Sequence, residues 1–311
     1  MIGTSLLFSG SIAGLLTPFD SVAPTAGYSL RNLSLSYSGA VVRVRKDITG
    51  NPEQDFTAGQ ITNGTLSNFL ETLGTDAHSQ SVSTQFEDVS DVSLICDCNS
   101  GGTDELDAFD ALYENGFVSK WYDQFGSNDA TQTTAAEQPK IWDASTGLVT
   151  ENGKPALDFD GVDDTLSLSS SLNIGGSPSI IGVLNTAAGD ILWRAGGSDY
   201  WYVQASQIFR YRNGDFDETW LNTDGLPAMD GSQKLIATYK NTNSVLLTVD
   251  GVSLVTKTEA GGTGADGFFN NIGSDLLFID GVWQEIIIYN SDQSSNRTKI
   301  EDNINAYYDI Y

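Results

Sequence analysis

From residue 178 onward the chain reads as one short strand after another, and this rhythm constrains the fold more than any other feature of the sequence. Ser179–Leu184, Ile191–Arg194, Tyr200–Gln204, Ile208–Arg212, Leu235–Tyr239, Val245–Val249 and Val252–Thr256 are short apolar or alternating runs. Asp250-Gly251 between the last two is a tight hairpin signal. Trp283–Tyr289 (W-Q-E-I-I-I-Y) is the most continuously apolar run, which predicts a strand covered on both faces at the centre of a sandwich. Earlier strands are expected at Val41–Val44, Val118–Tyr122, Lys154–Phe159 and Thr165–Leu168, with Asp160-Gly161 read as a second hairpin turn. Thirty-two glycines and an apolar set rich in β-branched and aromatic residues fit many short strands joined by tight turns. The expected fold is all-β: a two-sheet antiparallel jelly-roll sandwich with a few short peripheral helices.

Four segments depart from the strand pattern. Residues 24–38 place Ala26, Leu30, Leu33 and Tyr37 at helical spacing, and residues 65–73 do the same with Leu66, Phe69, Leu70 and Leu73 behind a Thr65 cap. Residues 103–115 carry Asp104, Glu105 and Asp107 in a first turn, where the helix dipole favours acids. Residues 294–308 line up Ile300, Ile304, Tyr307 and Tyr308 as a stripe. The expected organisation is a segment at 1–22, either a docking arm or a first strand, followed by one domain over 23–311. Within that domain, 24–115 is expected to form a helical and loop layer. The first basic residue is Arg31, and glycines break the apolar run before it, so 1–22 is read as mature protein rather than a secretory signal. Asn32, Asn63 and Asn296 head N-x-[ST] triplets, which matter only in a eukaryotic secretory setting.

Charge and the reactive residues narrow the chemistry. Fifteen basic against forty-one acidic residues give a net charge of −26, which argues against nucleic acid or an anionic membrane as a partner. No run of eighteen apolar residues is present to cross a bilayer. Cys96 and Cys98 are too few for a disulfide framework and lack the ligands of a zinc site, so they are read as free thiols. His78 is the single histidine and is read as a solvated loop residue. The loop 261–267 (G-G-T-G-A-D-G) lacks the G-K-[ST] of a phosphate-binding loop.

Several longer phrases occur together. Residues 26–45 read A-G-Y-S-L-R-N-L-S-L-S-Y-S-G-A-V-V-R-V-R; residues 118–141 open V-S-K-W-Y-D-Q-F-G; residues 152–164 read N-G-K-P-A-L-D-F-D-G-V-D-D; residues 283–308 join the W-Q-E-I-I-I-Y run to the last predicted helix. In this order, over about 24–308, they resemble the concanavalin A-like (laminin-G-like) domains of bacteriophage tail-fibre and other virion-surface proteins. More distantly they are similar to the catalytic domain of the α-L-arabinofuranosidase B enzymes. The first resemblance implies a non-enzymatic virion-surface structural protein (tail fibre, receptor-binding module or capsid decoration) with glycan or host-surface adhesion. Its partners would be other virion proteins, further copies of itself and a host-surface glycan. The second implies a retaining glycoside hydrolase, which needs two carboxyls about 5 Å apart. The family's acid maps onto Asp275 in I-G-S-D, but Leu276-Leu277 replace the N-S that follows it. No phrase matches the nucleophile, Glu218 is the only glutamate between 185 and 225, and the family's disulfide cysteines have no counterparts. No catalytic residue is assigned beyond Asp275 as a candidate, and the third reading is a free carbohydrate-binding module.

Two constellations are candidate sites. Asp158, Asp160, Asp163 and Asp164 fall within seven residues. Asp160, Asp163 and Asp164 are calcium candidates, since hard cations take carboxylate oxygens. The preferred reading is a turn whose side chains bond local backbone N–H groups, because strand alternation points Asp163 and Asp164 to opposite faces. Asp123, with Asn128 and Asp129 following, is read in the same way as a loop clamp. The second constellation runs from Trp193 to Trp220. Exposed aromatics beside arginines form sugar platforms, and Trp201, Tyr211, Trp220 and Arg212 are the candidate carbohydrate-binding residues, with Trp201 and Tyr211 expected on an exposed face.

Overall fold

The computed structural model describes residues 17–72, 112–186, 190–195, 199–205, 208–213, 216–229, 231–258, 267–273 and 278–311. The fold is a two-layer antiparallel β-sandwich. The expected central strand is Asp280–Tyr289, and its apolar run follows from burial on both sides. Ile286 and Ile288 face the inter-sheet core, whereas Ile287 and Tyr289 face a second core capped by the C-terminal helix Arg297–Tyr308. One edge of this strand pairs with Ala26–Ser29 and Leu157–Asp160, and the other with Ser179–Thr186. Lys234–Lys240 and Ser244–Val249 extend this first sheet. Asp250 and Gly251 both have positive φ, as the expected hairpin turn requires.

Among the described residues the second sheet has ten strands. In spatial order they are Phe216–Leu221, Ile208–Asn213, Asp199–Ala205, Asp190–Ala195, Gly267–Ile272, Leu166–Gly175, Ala130–Thr131, Gly116–Trp121, Val42–Lys46 and Glu53–Phe56. Lys140–Asp143 pairs with both sheets and joins them at one corner. The inner face of the second sheet carries Trp121, Trp193, Trp201, Phe209, Tyr211 and Trp220, all with 0% exposure.

Several expectations are corrected. Residues 26–29 form a strand, not a helix: all four are buried against the central strand, and that pairing overrides the helical spacing. The described part of 24–115 is therefore no helical layer, since it supplies one strand to the first sheet and two to the second. Residues 17–22 belong to the domain, for Phe19 of the short helix Pro18–Ser21 is buried with Leu33 and the C-terminal helix. The helix expected at 65–73 is Thr65–Leu70, with Gly64 rather than Thr65 at its N-cap. Asp160-Gly161 is no hairpin: Leu157–Asp160 lies in the first sheet and Leu166–Gly175 in the second, so the intervening residues cross between layers. The last helix is present, with Ile300, Ile304 and Tyr308 buried as expected. Cys96, Cys98, His78, the 261–266 part of the glycine-rich loop and positions 103–111 of the expected 103–115 helix lie outside the described residues; Leu112–Tyr113 form a short strand paired with Glu71–Thr72, not a helix. No described helix is long and apolar enough to cross a membrane.

Candidate functional site

The outer face of the first sheet is covered by the C-terminal helix and the 17–22 segment. On the outer face of the second sheet the 135–138 segment covers Arg45, which bonds Gln138 and the Ala135 carbonyl, and the cross-strand row beside it is half-buried or exposed. There the strand registers place one polar residue directly beside the next. In one half of the sheet, Asp217 lies opposite Arg212, Arg212 opposite Tyr200, Tyr200 opposite Arg194, and Arg194 opposite Asn271. In the other half, Asn271 lies opposite Ser167, Ser167 opposite Thr131, Thr131 opposite Lys120, Lys120 opposite Arg43, and Arg43 opposite Asp55. Ten strands thus contribute one continuous cross-strand row. At about 4.8 Å per strand it runs for about 40 Å. Each member is half-buried or exposed, while the adjacent residue on its own strand is buried, as period-two alternation demands.

Two nodes of cation, tyrosine and carboxylate sit on the row. At the first, Arg43 is bidentate to Asp55 (2.7 and 3.1 Å) and the Tyr122 hydroxyl donates to the same carboxylate at 2.8 Å. The hydrogen bond from Arg43 holds the Asp55 carboxyl below its ordinary range, while burial and the bond to Asp55 push the Tyr122 phenol up to about 12. Lys120 reaches Asp129 at 3.2 Å and lies 5.1 Å from the Tyr122 ring centroid. A shallow cleft of ≈ 320 Å³, lined by Arg43, Glu53, Lys120, Thr131 and Gln132 among others, opens beside this node. At the second node, Arg210 is bidentate to Asp217 (2.7 and 2.6 Å) and its guanidinium stands 5.7 Å from the Tyr200 ring centroid. Tyr202 lies opposite Arg210. Arg212 has no ion-pair partner among the described residues. Half-exposed tyrosines interleaved with fixed donors and acceptors suit an extended, polyhydroxylated ligand.

The structure divides the expected aromatic platform by strand parity. Arg212 is on the open face, but Trp201, Tyr211 and Trp220 point inward with 0% exposure. None of the three offers a ring face to solvent, which corrects the expected exposure of Trp201 and Tyr211 and the expected binding role of Trp220. The outward aromatics are their sequence neighbours Tyr200 and Tyr202. Trp220 donates to the Val255 carbonyl at 2.6 Å, whereas the Trp201 indole nitrogen has no hydrogen-bond partner among the described residues. Trp201→Phe is therefore expected to cost less than about 1.5 kcal/mol, and Trp201→Ala about 3–5 kcal/mol, in urea unfolding. Equal losses for the two would mean that the indole N–H has a partner.

The remaining candidates separate as follows. Asp275 lies outside the described residues. Glu218 is half-buried on the inward-facing side of Phe216–Leu221. Asp160, Asp163 and Asp164 do converge, with one carboxylate oxygen of each within 4.8 Å of the others. Alternation fails there because the strand ends at Asp160 and Gly161 turns the chain at φ +75°. Asp160 Oδ1 accepts the Val162 and Asp163 N–H groups, and Asp164 Oδ2 accepts that of Asp160. Among the described residues, these three are the ones that could hold a cation. Burial, with Asp160, Asp163 and Asp158 nearby, pushes the Asp164 carboxyl up to about 7. Asp123 is a loop clamp: its carboxylate accepts from Gly27, Phe125 and Asn128 N–H groups. Arg43, Asp55, Lys120, Tyr122 and Asn271 were not expected as site residues. The V-R-V-R alternation at 42–45 put Arg43 and Arg45 on one face, and of the two only Arg43 stays open, Arg45 being buried.

No protein-family model and no curated protein sequence matches the chain. Among solved structures it is similar to a GH54 α-L-arabinofuranosidase soaked with a cyclic sulfate inhibitor, at TM-score 0.58 and 13% identity over 92% of this chain and 64% of that one. An arabinofuranosidase complexed with arabinofuranosyl-α-1,2-xylobiose matches at TM-score 0.57, with the same identity and coverage. The chain thus spans less than two thirds of the arabinofuranosidases it matches. The likeness establishes the sandwich fold.

Proposed function

We propose that the protein is a carbohydrate-binding β-sandwich displayed on a bacteriophage virion surface, using the open face of its second sheet to adhere to a host-surface glycan. The single observation that carries the binding part is the ten-strand polar row with tyrosines at both cation nodes. The fold shared with arabinofuranosidases supports the ligand class, and the phrases at 26–45 and 118–141 support the virion address. Other virion proteins and further copies of this chain are the partners that address implies. Binding of the full chain to a glycan array, followed by titration of the hits, tests the reading. Tyr200→Ala and Tyr122→Ala are each expected to weaken the hit about tenfold, the loss of one stacked ring. Unchanged affinity in both variants removes the site from this face. Release of reducing sugar from the hit would replace adhesion with the hydrolase reading.

A further inference from the structure

We propose that the glycan held on this face is anionic, with a sugar carboxylate bound by Arg212 beside the ring of Tyr200. This rests on the carbohydrate-binding reading above and adds the ligand's charge.

The argument begins with the distribution of positive charge. Six of the fifteen basic residues, Arg43, Arg45, Lys120, Arg194, Arg210 and Arg212, share the outer face of one sheet. Arg194 has a partner of its own, and four others are matched by carboxylates: Arg43 by Asp55, Arg45 by Asp47, Lys120 by Asp129 and Arg210 by Asp217. Arg212 is not, in a chain with forty-one acidic residues. Its cross-strand neighbour Asp217 is already bidentate to Arg210. A guanidinium without a carboxylate, in a protein with such an excess of them, is complementary to an anion that arrives from outside.

The register then gives the shape of that anion. Arg194 and Arg212 stand on either side of Tyr200, each one strand away, so their backbones are separated by about 10 Å. A pyranose ring is about half that width and fits over the tyrosine, where its apolar face can stack. A carboxylate on that ring falls within reach of a planar fork of donors, which arginine presents in bidentate geometry. A neutral sugar leaves that fork unused.

Trigalacturonate and a hyaluronan tetrasaccharide, each beside its neutral methyl ester, are suitable probes for titration calorimetry on the full chain at 0.15 M NaCl. At least one acid is expected to bind about tenfold or more tightly than its ester. Arg212→Ala should remove that preference, so that acid and ester bind alike, and Arg212→Lys should restore part of it, because lysine keeps the charge without the fork. Circular dichroism checks that each variant is folded. Equal affinity for acid and ester, or acid binding indifferent to Arg212→Ala, overturns the carboxylate inference and leaves glycan binding standing. So does failure of both acids when neutral glycans bind on the array. Failure of every glycan, acidic and neutral, overturns both.

Discussion

Glu285→Ala is expected to destabilise the protein by about 3–5 kcal/mol, because it strands a buried guanidinium. Arg31 donates to Glu285 from Nε at 2.7 Å and from Nη2 at 3.0 Å, with side-chain exposures of 10% and 1%. Ser29 and Tyr308 also donate to the carboxylate, at 2.9 and 3.2 Å. Arg31 further bonds Asn303 and lies over the Tyr307 and Tyr308 rings at 5.0 and 5.7 Å. Burial opposes the guanidinium's charge, but Glu285 outweighs burial and holds it. The pair thus ties the loop after the first strand to the central strand and the C-terminal helix. The double variant Arg31→Met with Glu285→Leu is expected to cost less than either single truncation, since no charge is left unpaired. Urea unfolding of the three variants measures this. A loss below about 1 kcal/mol for Glu285→Ala would show that water reaches the pair. The node lies on the covered side of the first sheet, so a folded double variant should bind glycan like the wild type.

That helix and the central strand were legible in the sequence because each is a local pattern. Ile286, Ile287 and Ile288 form a run that only a doubly covered strand explains, and Ile300, Ile304 and Tyr308 repeat at helical spacing. Ala26–Ser29 was misread because its four buried residues owe their conformation to a partner more than 250 positions away. The aromatic face was half legible. Its composition was visible between Trp193 and Trp220, but adjacent residues of a strand point to opposite sides. Deciding that Tyr200 and not Trp201 is the outward ring needs the position of the other sheet, which Trp201 packs toward. The polar row was illegible for a stronger reason. Lys120 meets Thr131 within one stretch of chain, yet Arg43 meets Lys120 and Arg194 meets Asn271 only through long-range pairing. The convergence of Asp160, Asp163 and Asp164 was missed because alternation was extended past the end of the strand into a turn.

Asp164→Asn is expected to stabilise the protein at neutral pH and to flatten the fall in its stability between about pH 4 and pH 7. The folded-state pKa of this acid is raised to about 7 from an ordinary 3.8. Below the lower value both states carry the proton and the group has no effect. Between the two values the unfolded chain releases a proton that the folded chain keeps, so stability decreases as pH rises, and the loss is complete above about pH 7. Asparagine is neutral throughout and retains an oxygen to accept the Asp160 N–H, which Asp164 accepts at 3.0 Å. The gain at pH 7.5 is on the order of 1–2 kcal/mol, discounted from the full linkage value because this surface turn is partly screened by water. That corresponds to a melting-temperature rise of about 2 °C in a chain of this length. The same experiment decides between turn clamp and cation site. With the backbone N–H groups already on Asp160 Oδ1 and Asp164 Oδ2, 5 mM calcium is expected to leave the wild-type melting temperature at pH 7.5 within about 1 °C. A calcium-dependent rise in the wild type, abolished in Asp164→Asn, would instead show that the three carboxylates bind the ion and that the proton on Asp164 stands in for it.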